Sequence, residues 1–303
     1  MNKKIKIVFI ILVIFVIAFI LINIKNYKIY KILSDEYTPK YYINELYQSK
    51  EINYRMLLDK KEKQIYDLII QNLIDFKNNF TISLSEYDYS HSYLYLDKVS
   101  KIIDTISMDH PELIQIGFIS SSIQRGTKDV VINCTYIMDE KEYVDKVEEI
   151  KVIINQIKEE TSDLDEFSKV KYVYDYIGKK NVYGNPNDPI GQSAYSAFSN
   201  NISPVCAGYA KASQIIFSNI GIKSVLVFGD ANYALFLGNS HAWNHVAIES
   251  KFYLYDVTYS SPGTQNNEKD FYRGFLMKDI SSHTPWYKKA TPRLNGRKHV
   301  NNV

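Results

Sequence analysis

Cysteine is almost missing: Cys134 and Cys206 are the two thiols in 303 residues. Two thiols cannot build a disulfide framework, so the fold must rest on its core. An excess of one charge is missing as well. The 36 basic and 34 acidic residues leave a net charge of +2, which excludes a strong polyanion partner such as nucleic acid. Near the start, neither a small-x-small cleavage site nor a lipid-accepting cysteine follows the apolar run, which argues against a removed signal peptide or a lipoprotein leader.

What is present begins with that run. Residues 5–24 are apolar except for Lys6 and Asn23, and Ile7 to Ile22 is unbroken. About twenty helical residues cross a hydrocarbon core of ~30 Å. Residues 1–24 are therefore expected to be a transmembrane signal anchor. Lys25, Lys28 and Lys31 nearly balance the basic residues before the span, so charge alone does not orient it. The short Asn2-Lys3-Lys4 start resembles a signal-anchor leader and places the rest outside the cytoplasm. The expectation is a single-pass protein of the cell membrane.

The remaining chain, in a sequence that is 46% hydrophobic, suffices for one large domain or two small ones. Tyrosine is abundant, at 26 residues. High Ile, Lys and Asn alongside it are what an AT-rich coding sequence produces; a carbohydrate- or peptide-binding surface is the functional alternative.

Residues 25–60 read as a Tyr- and Lys-rich stalk, and residues 61–139 as a small α+β domain. Ile65, Leu68, Ile69 and Leu73 have helical spacing, as do Leu96, Val99, Ile103 and Ile106. Phe80–Leu84, Leu113–Ile119 and Val130–Met138 read as strands. Cys134 lies in the last and is expected to be a buried small hydrophobe. His91 and His110 are expected at the surface or at caps, not as ligands.

Residues 140–285 carry the chemistry. A charged amphipathic helix is expected over Glu140–Glu160, with Val144, Val147, Ile150, Ile154 and Ile157 on its apolar face. A second should run from Leu164 to Ile177 and stop at Gly178. Next comes Ser203-Pro204-Val205-Cys206-Ala207-Gly208-Tyr209-Ala210. Ser203 suits an N-cap and Pro204 the first helical position, which puts Cys206 in the first turn. Free N–H groups and the helix dipole there stabilise a thiolate, and Gly208 removes bulk beside it. The helix should end at Asn219, with Gly221 as its C′ residue. Lys223–Gly229 reads as a strand. His241–Ile248 and Phe252–Tyr259 read as the two strands of a hairpin. Residues 286–303 form a basic tail, expected to fray from Arg293.

On a strand His241, Trp243 and His245 share one face. If Glu249-Ser250 is the turn, Asp256 lies opposite Trp243 and diagonal to His241, at roughly 7–8 Å between backbones. If the turn slips to Ser250-Lys251, His245 becomes a rival base. A nucleophile–base–orienter triad is one reading. A structural Cys206 packed under its helix is the plain alternative. A metal site of His241, His245 and Asp256 is a third, weakened because the context is a strand with no acid between the histidines.

Pro204-Val205-Cys206-Ala207-Gly208-Tyr209-Ala210, the Gly221-Ile222 pair at the helix end, His241-Ala242-Trp243-Asn244, and Phe252-Tyr253-Leu254-Tyr255-Asp256-Val257-Thr258-Tyr259 together resemble the transglutaminase-like superfamily. The likeness is to its bacterial, membrane-anchored branch of expected cysteine proteases, and it covers about residues 165–259. It implies an α+β fold with a papain-like core, in which a helix carrying the cysteine packs on an antiparallel sheet. It also implies Cys206 as nucleophile, His241 as base and acid, and Asp256 as orienting acid, which chooses His241 over His245. Gln192 is a candidate oxyanion donor, as a glutamine is in papain-like enzymes. The upstream Met108-Asp109-His110-Pro111-Glu112 resembles, less specifically, a small domain that often precedes this core. Pro204 stands where a small residue is usual, and Val257-Thr258-Tyr259 replaces the commoner Pro-Thr-Trp; neither touches the triad. No acidic cluster suggests calcium sites.

The function expected is an extracytoplasmic cysteine hydrolase cutting peptide or side-chain amide bonds, without cofactor or metal. Its partner would be a protein or peptide substrate, cell-wall associated. Two alternatives stand beside it: a cross-linking transglutaminase, and a non-catalytic surface module with an inherited triad.

Overall fold

The computed structural model describes residues 43, 46–47, 53–83, 92–124, 129–231, 240–261, 271–277 and 281–296. The expected membrane span, residues 5–24, lies outside them. Among the described residues no helix is long and apolar enough to cross a membrane. The chain divides into two units. One, Met1–Lys40 with Lys50–Ile52, lies wholly outside the described residues; the other, Tyr41–Ser49 with Asn53–Val303, carries everything below.

The architecture is mixed helix and sheet. It begins with a 3-10 turn, Tyr54–Leu57, then α1 (Lys60–Ile74), β1 (Asn79–Ser83), α2 (Ser92–Asp109), β2 (Ile116–Ile123) and β3 (Asp129–Tyr136). These strands pair antiparallel in the order β1-β3-β2. Asp59 and Glu62 close a capping box on α1, satisfying its first amides reciprocally. The helical spacing then buries Ile65, Ile69, Ile70 and Leu73 against Ile102, Ile106, Ile132 and Cys134.

A second hydrophobic cluster holds α3 (Glu140–Glu160), α4 (Glu166–Lys180), α5 (Ala194–Phe198) and α6 (Cys206–Asn219) against β5 (Ser240–Ile248) and β6 (Lys251–Tyr255). With β4 (Ser224–Ala231) and β7 (His283–Pro285), those strands form a sheet ordered β6-β5-β4-β7. Each pairing is antiparallel. The buried stripe of α3 is Val147, Ile150, Ile154 and Ile157, whereas Val144 is exposed. Gly221 follows the end of α6 at φ +76°, the left-handed turn a helix C′ requires.

Several sequence expectations are corrected. The helix expected to stop at Gly178 continues to Lys180. A Cβ at Gly178 would sit 2.4 Å from Ser260 Oγ, so this glycine serves close packing and not termination. The strand expected from Leu113 starts at Ile116, because Leu113 N–H caps back to His110 O and Ile116 N–H to Leu113 O in consecutive turns. His110 is no surface residue: it is buried, with Nδ1 2.8 Å from Glu112 Oε1. Its neighbour Asp109 accepts from Tyr54 N–H at 2.6 Å, Arg55 N–H at 2.9 Å and Tyr66 O–H at 3.1 Å. Residues 53–57, expected in the stalk, thus pack into the folded unit, where Tyr54 O–H also reaches Leu226 O at 2.9 Å.

The tail does not fray at Arg293. Asn295 Oδ1 accepts from Phe252 N–H at 2.8 Å, Asn295 N–H and Gly296 N–H both donate to Phe252 O, and Gly296 lies against the Tyr253 ring. Residues 297–303 lie outside the described chain.

Candidate active site

The cysteine helix starts later than its sequence suggests. Val205, not Ser203, is the N-cap, no side chain caps it, and Cys206 is the first helical residue. Pro204 and Val205 are held extended by backbone bonds, Gly184 N–H to Pro204 O at 2.9 Å and Val205 N–H to Gly191 O at 3.0 Å. Those bonds cost the helix its expected first turn and bring Cys206 closer to the free positive end of the dipole.

Gly208 has a different purpose from the one expected. A Cβ there would meet Gly191 O at 2.4 Å and Ser196 Oγ at 2.5 Å. The absent side chain lets the 3-10 turn Pro189–Gln192 and the start of α5 lie directly on α6. Gln192 thereby joins Cys206 and His241 in the wall of one groove.

The hairpin register is settled by its turn. Ile248 pairs with Lys251, and Glu249 and Ser250 both take positive φ, 50° and 63°, as a two-residue primed turn requires. Asn244 then pairs with Tyr255. One step further, Asp256 falls beside Trp243, diagonal to His241. The second strand ends at Tyr255 instead of running to Tyr259. Asp256 turns the chain into the 3-10 turn Val257–Ser260, its Oδ1 accepting from Thr258 N–H at 3.1 Å.

His241 Nε2 donates to Asp256 Oδ2 at 2.8 Å, and both groups are buried. The other side of the imidazole hydrogen-bonds the Cys206 sulfur, which also receives the Ala242 N–H and the Tyr183 hydroxyl. Burial pushes the Cys206 thiol up; His241, Ala242 and Tyr183 together outweigh it and hold the thiol below its usual value. For His241 burial acts downward, while the Asp256 carboxylate and the Cys206 sulfur raise it to about 10. Burial raises Asp256, yet His241 and His283 hold its carboxyl well below the usual range. All three shifts favour a thiolate–imidazolium pair steadied by a carboxylate.

Asn244 connects the two halves of this arrangement. Its amide donates to Ala210 O and to Gln214 Oε1, both at 3.1 Å, tying β5 to α6. Trp243 packs between the two imidazoles' segments, stacked on His241 at 6.1 Å and edge-on to His283 at 4.9 Å.

His245, the rival base, points elsewhere: Nδ1 lies 3.0 Å from Pro292 O, and burial brings its pKa down to about 4. His283 takes the place His245 held in the metal reading. Its Nε2 lies 3.2 Å from Asp256 Oδ2, with Nδ1 2.9 Å from Ser282 Oγ. Among the described residues His241, Asp256 and His283 offer ligand atoms within 4.8 Å of one another. Those atoms are the same ones engaged in the two imidazole–carboxylate hydrogen bonds.

Sequence reasoning missed Tyr183 and His283. Tyr183 sits in a loop, held by its N–H to Ser261 Oγ at 2.7 Å and by stacking on Tyr209. Its hydroxyl donates to the sulfur and accepts from Cys206 N–H. No spacing or pattern marks either residue. Each arrives from a segment distant in sequence, His283 on a three-residue strand.

Beside the sulfur lies a groove of about 720 Å³. Ile103 and Asp104 of α2 and Phe118 of β2 form one side; Phe228 and Trp286 contribute aromatic surface; Ala207 and Lys211 of α6 also line it.

Comparison with known proteins follows the same residues. Residues 153–257 match the transglutaminase-like superfamily, a segment containing Cys206, His241 and Asp256. No curated protein matches the chain. Among solved structures, a protein from Cytophaga hutchinsonii provisionally named a cysteine protease shares 13% identity over 55% of this chain and 65% of its own, with a TM-score of 0.32. A protein named TGase shares 15% over 50% and 46%, with a TM-score of 0.34. The periplasmic domain of TgpA from Pseudomonas aeruginosa shares 14% over 44% and 54%, with a TM-score of 0.29. The chain thus spans less than two thirds of each of these structures. Residues 153–257 belong to the transglutaminase-like superfamily.

Proposed function

We propose that the chain is a cysteine hydrolase of amide bonds working through Cys206, His241 and Asp256 on a papain-like core. The observation that carries this is the buried relay from carboxylate to imidazole to a half-buried sulfur facing a groove. A carboxylate that orients an imidazole keeps its second nitrogen aimed at the nucleophile and stabilises the imidazolium.

The chemistry then follows. The Cys206 thiolate attacks the amide carbonyl carbon, forming a C–S bond. The carbonyl oxygen takes the developing charge. Cys206 N–H and the Gln192 side-chain amide are its proposed donors. Substrate oxygen would replace the Tyr183 hydroxyl as the acceptor of Cys206 N–H. Collapse breaks the C–N bond as the His241 imidazolium protonates the leaving amine. The thioester is cleared when His241 takes a proton from water, whose oxygen bonds the carbonyl carbon and expels the thiolate. An amine in place of that water would give cross-linking; the triad serves either acceptor. The substrate proposed is a protein or peptide, cell-wall associated, met outside the cytoplasm by a chain anchored through residues 5–24.

The test is alkylation of the full-length chain by iodoacetamide near neutral pH, with adducts mapped by mass spectrometry. Cys206 is expected to label much faster than an ordinary thiol, and His241→Ala to abolish that advantage. Ordinary reactivity, indifferent to His241→Ala, would sink the nucleophile. Incubation with a glutamine-containing peptide and a fluorescent amine then separates the acceptors: ammonia release without amine incorporation supports hydrolysis.

A further inference from the structure

Lys211 is the unexplained charge beside the nucleophile. It follows Ala207 by one helical turn, so both side chains lie on the face of α6 that lines the groove with Cys206. The residue is half-buried and, among the described residues, no carboxylate pairs with its ammonium. Burial pulls that ammonium down to about 8, while the Cys206 sulfur acts in the opposite direction. The groove's acidic side chain, Asp104 on α2, takes a long hydrogen bond from Tyr287 O–H at 3.4 Å, and burial raises it to about 6. It forms no ion pair with Lys211. Some other lysines do pair with a carboxylate within one helical turn, as Lys146 does with Glu149 and Lys171 with Asp175.

A partly desolvated cation with no carboxylate partner, facing only the Cys206 sulfur, favours a bound anion. Ile103, Phe118 and Trp286 add apolar surface to the same groove, Phe118 and Trp286 exposed, which fits a peptide better than a free inorganic ion. We propose that Lys211 is a specificity determinant that binds a carboxylate of the substrate next to the amide under attack. The substrate class is therefore an acidic peptide, its carboxylate either a chain-terminal one or an Asp/Glu side chain. This rests on Cys206 being the nucleophile and adds the chemistry of what it attacks.

The probe pair is iodoacetate and iodoacetamide, which deliver the same alkyl group with and without a carboxylate. The readout is the ratio of their Cys206 alkylation rates in the full-length chain. Lys211→Gln is expected to lower the iodoacetate-to-iodoacetamide ratio about tenfold, the loss of one desolvated charge contact, the ratio cancelling any change in the thiolate that both reagents share. Lys211→Arg, which keeps the charge, is expected to retain the ratio. In the wild type the ratio should fall as pH rises through about 8, where Lys211 loses its proton. A thermal melt matching wild type shows that the variant has folded.

A second arm locates the carboxylate. Protection of Cys206 from iodoacetamide is compared for peptide acids against their C-terminal amides, and for Glu- against Gln-containing amides. The pair whose difference disappears in Lys211→Gln names the source. An unchanged alkylation ratio in Lys211→Gln, with Cys206 still selectively labelled, overturns the carboxylate site and leaves the nucleophile standing. So does identical protection by both members of each pair. Failure of both reagents to favour Cys206 overturns the nucleophile and the site that depends on it.

Discussion

His283 places Nε2 3.2 Å from Asp256 Oδ2, the same oxygen that accepts from His241 at 2.8 Å. With Thr258 N–H on Oδ1, the carboxylate has protein donors on both oxygens and is 1% exposed. One lone pair direction orients the His241 imidazole; the other contacts keep the carboxylate from rotating away. His283→Ala should therefore leave the triad residues present but loosely aimed. We expect Cys206 alkylation at neutral pH to slow about five- to tenfold, on the order of 1 kcal/mol of lost support for a buried acceptor. His283→Gln, which can still donate, should recover part of the rate. Equal rates for Ala and wild type would remove His283 from the positioning of Asp256.

The pH dependence follows from the signs of the shifts. Cys206 lies below its usual value and His241 is raised to about 10, so the ion pair exists between those two points. Alkylation should rise as the thiol ionises and hold a plateau until His241 loses its proton near 10. Stability has two edges. His241 is raised above its unfolded value, so its contribution is complete below about 6.5 and is lost as pH climbs through about 10. Asp256 is depressed, so its contribution is present above the ordinary carboxylate range and is lost as pH falls towards its folded value. Asp256→Asn should flatten both edges in thermal melts across pH, and a melting profile identical to wild type would contradict this.

Tyr183→Phe removes one hydroxyl donor from the sulfur and returns Cys206 N–H to the groove. The thiol should rise, and alkylation below the plateau should slow several-fold while the plateau rate holds. The informative measurement is the midpoint of the acid limb. A midpoint that does not move towards higher pH would show that the hydroxyl does not stabilise the thiolate.

Gly208→Ala tests how Gln192 reaches the groove. The added methyl would meet backbone oxygen at 2.4 Å, and that atom belongs to a turn, not to a flexible side-chain tip. Overpacking of this kind costs about 1–3 kcal/mol. Chemical denaturation should show that loss. An unchanged midpoint would mean that the turn yields freely.

Much of the core was legible in pattern. The stripe Val147, Ile150, Ile154 and Ile157 is buried because helical spacing puts these residues on one face. Gly221 ends α6 because a left-handed residue is needed there. Gly178 misled, since a glycine inside a helix can mark close packing as well as a stop. Val144 misled because the first turn of α3 packs through Tyr143, which lies on Phe76, and leaves Val144 exposed. The tail misled because its basic composition conceals backbone bonds to Phe252.

By itself the sequence determined the chemistry available: a cysteine at a helix start, a histidine on one strand of a hairpin, and an aspartate at the end of the other. Local rules suffice for that, because helix spacing, strand alternation and capping act over a few residues. The tertiary structure decided the rest. The positive φ of Glu249 and Ser250 set the register that put Asp256 with His241 and not His245. Contacts across long sequence separations delivered Tyr183 to the sulfur and His283 to the carboxylate. Such contacts depend on how whole elements pack, and a one-dimensional pattern carries no signal for which distant side chains will share a few ångströms.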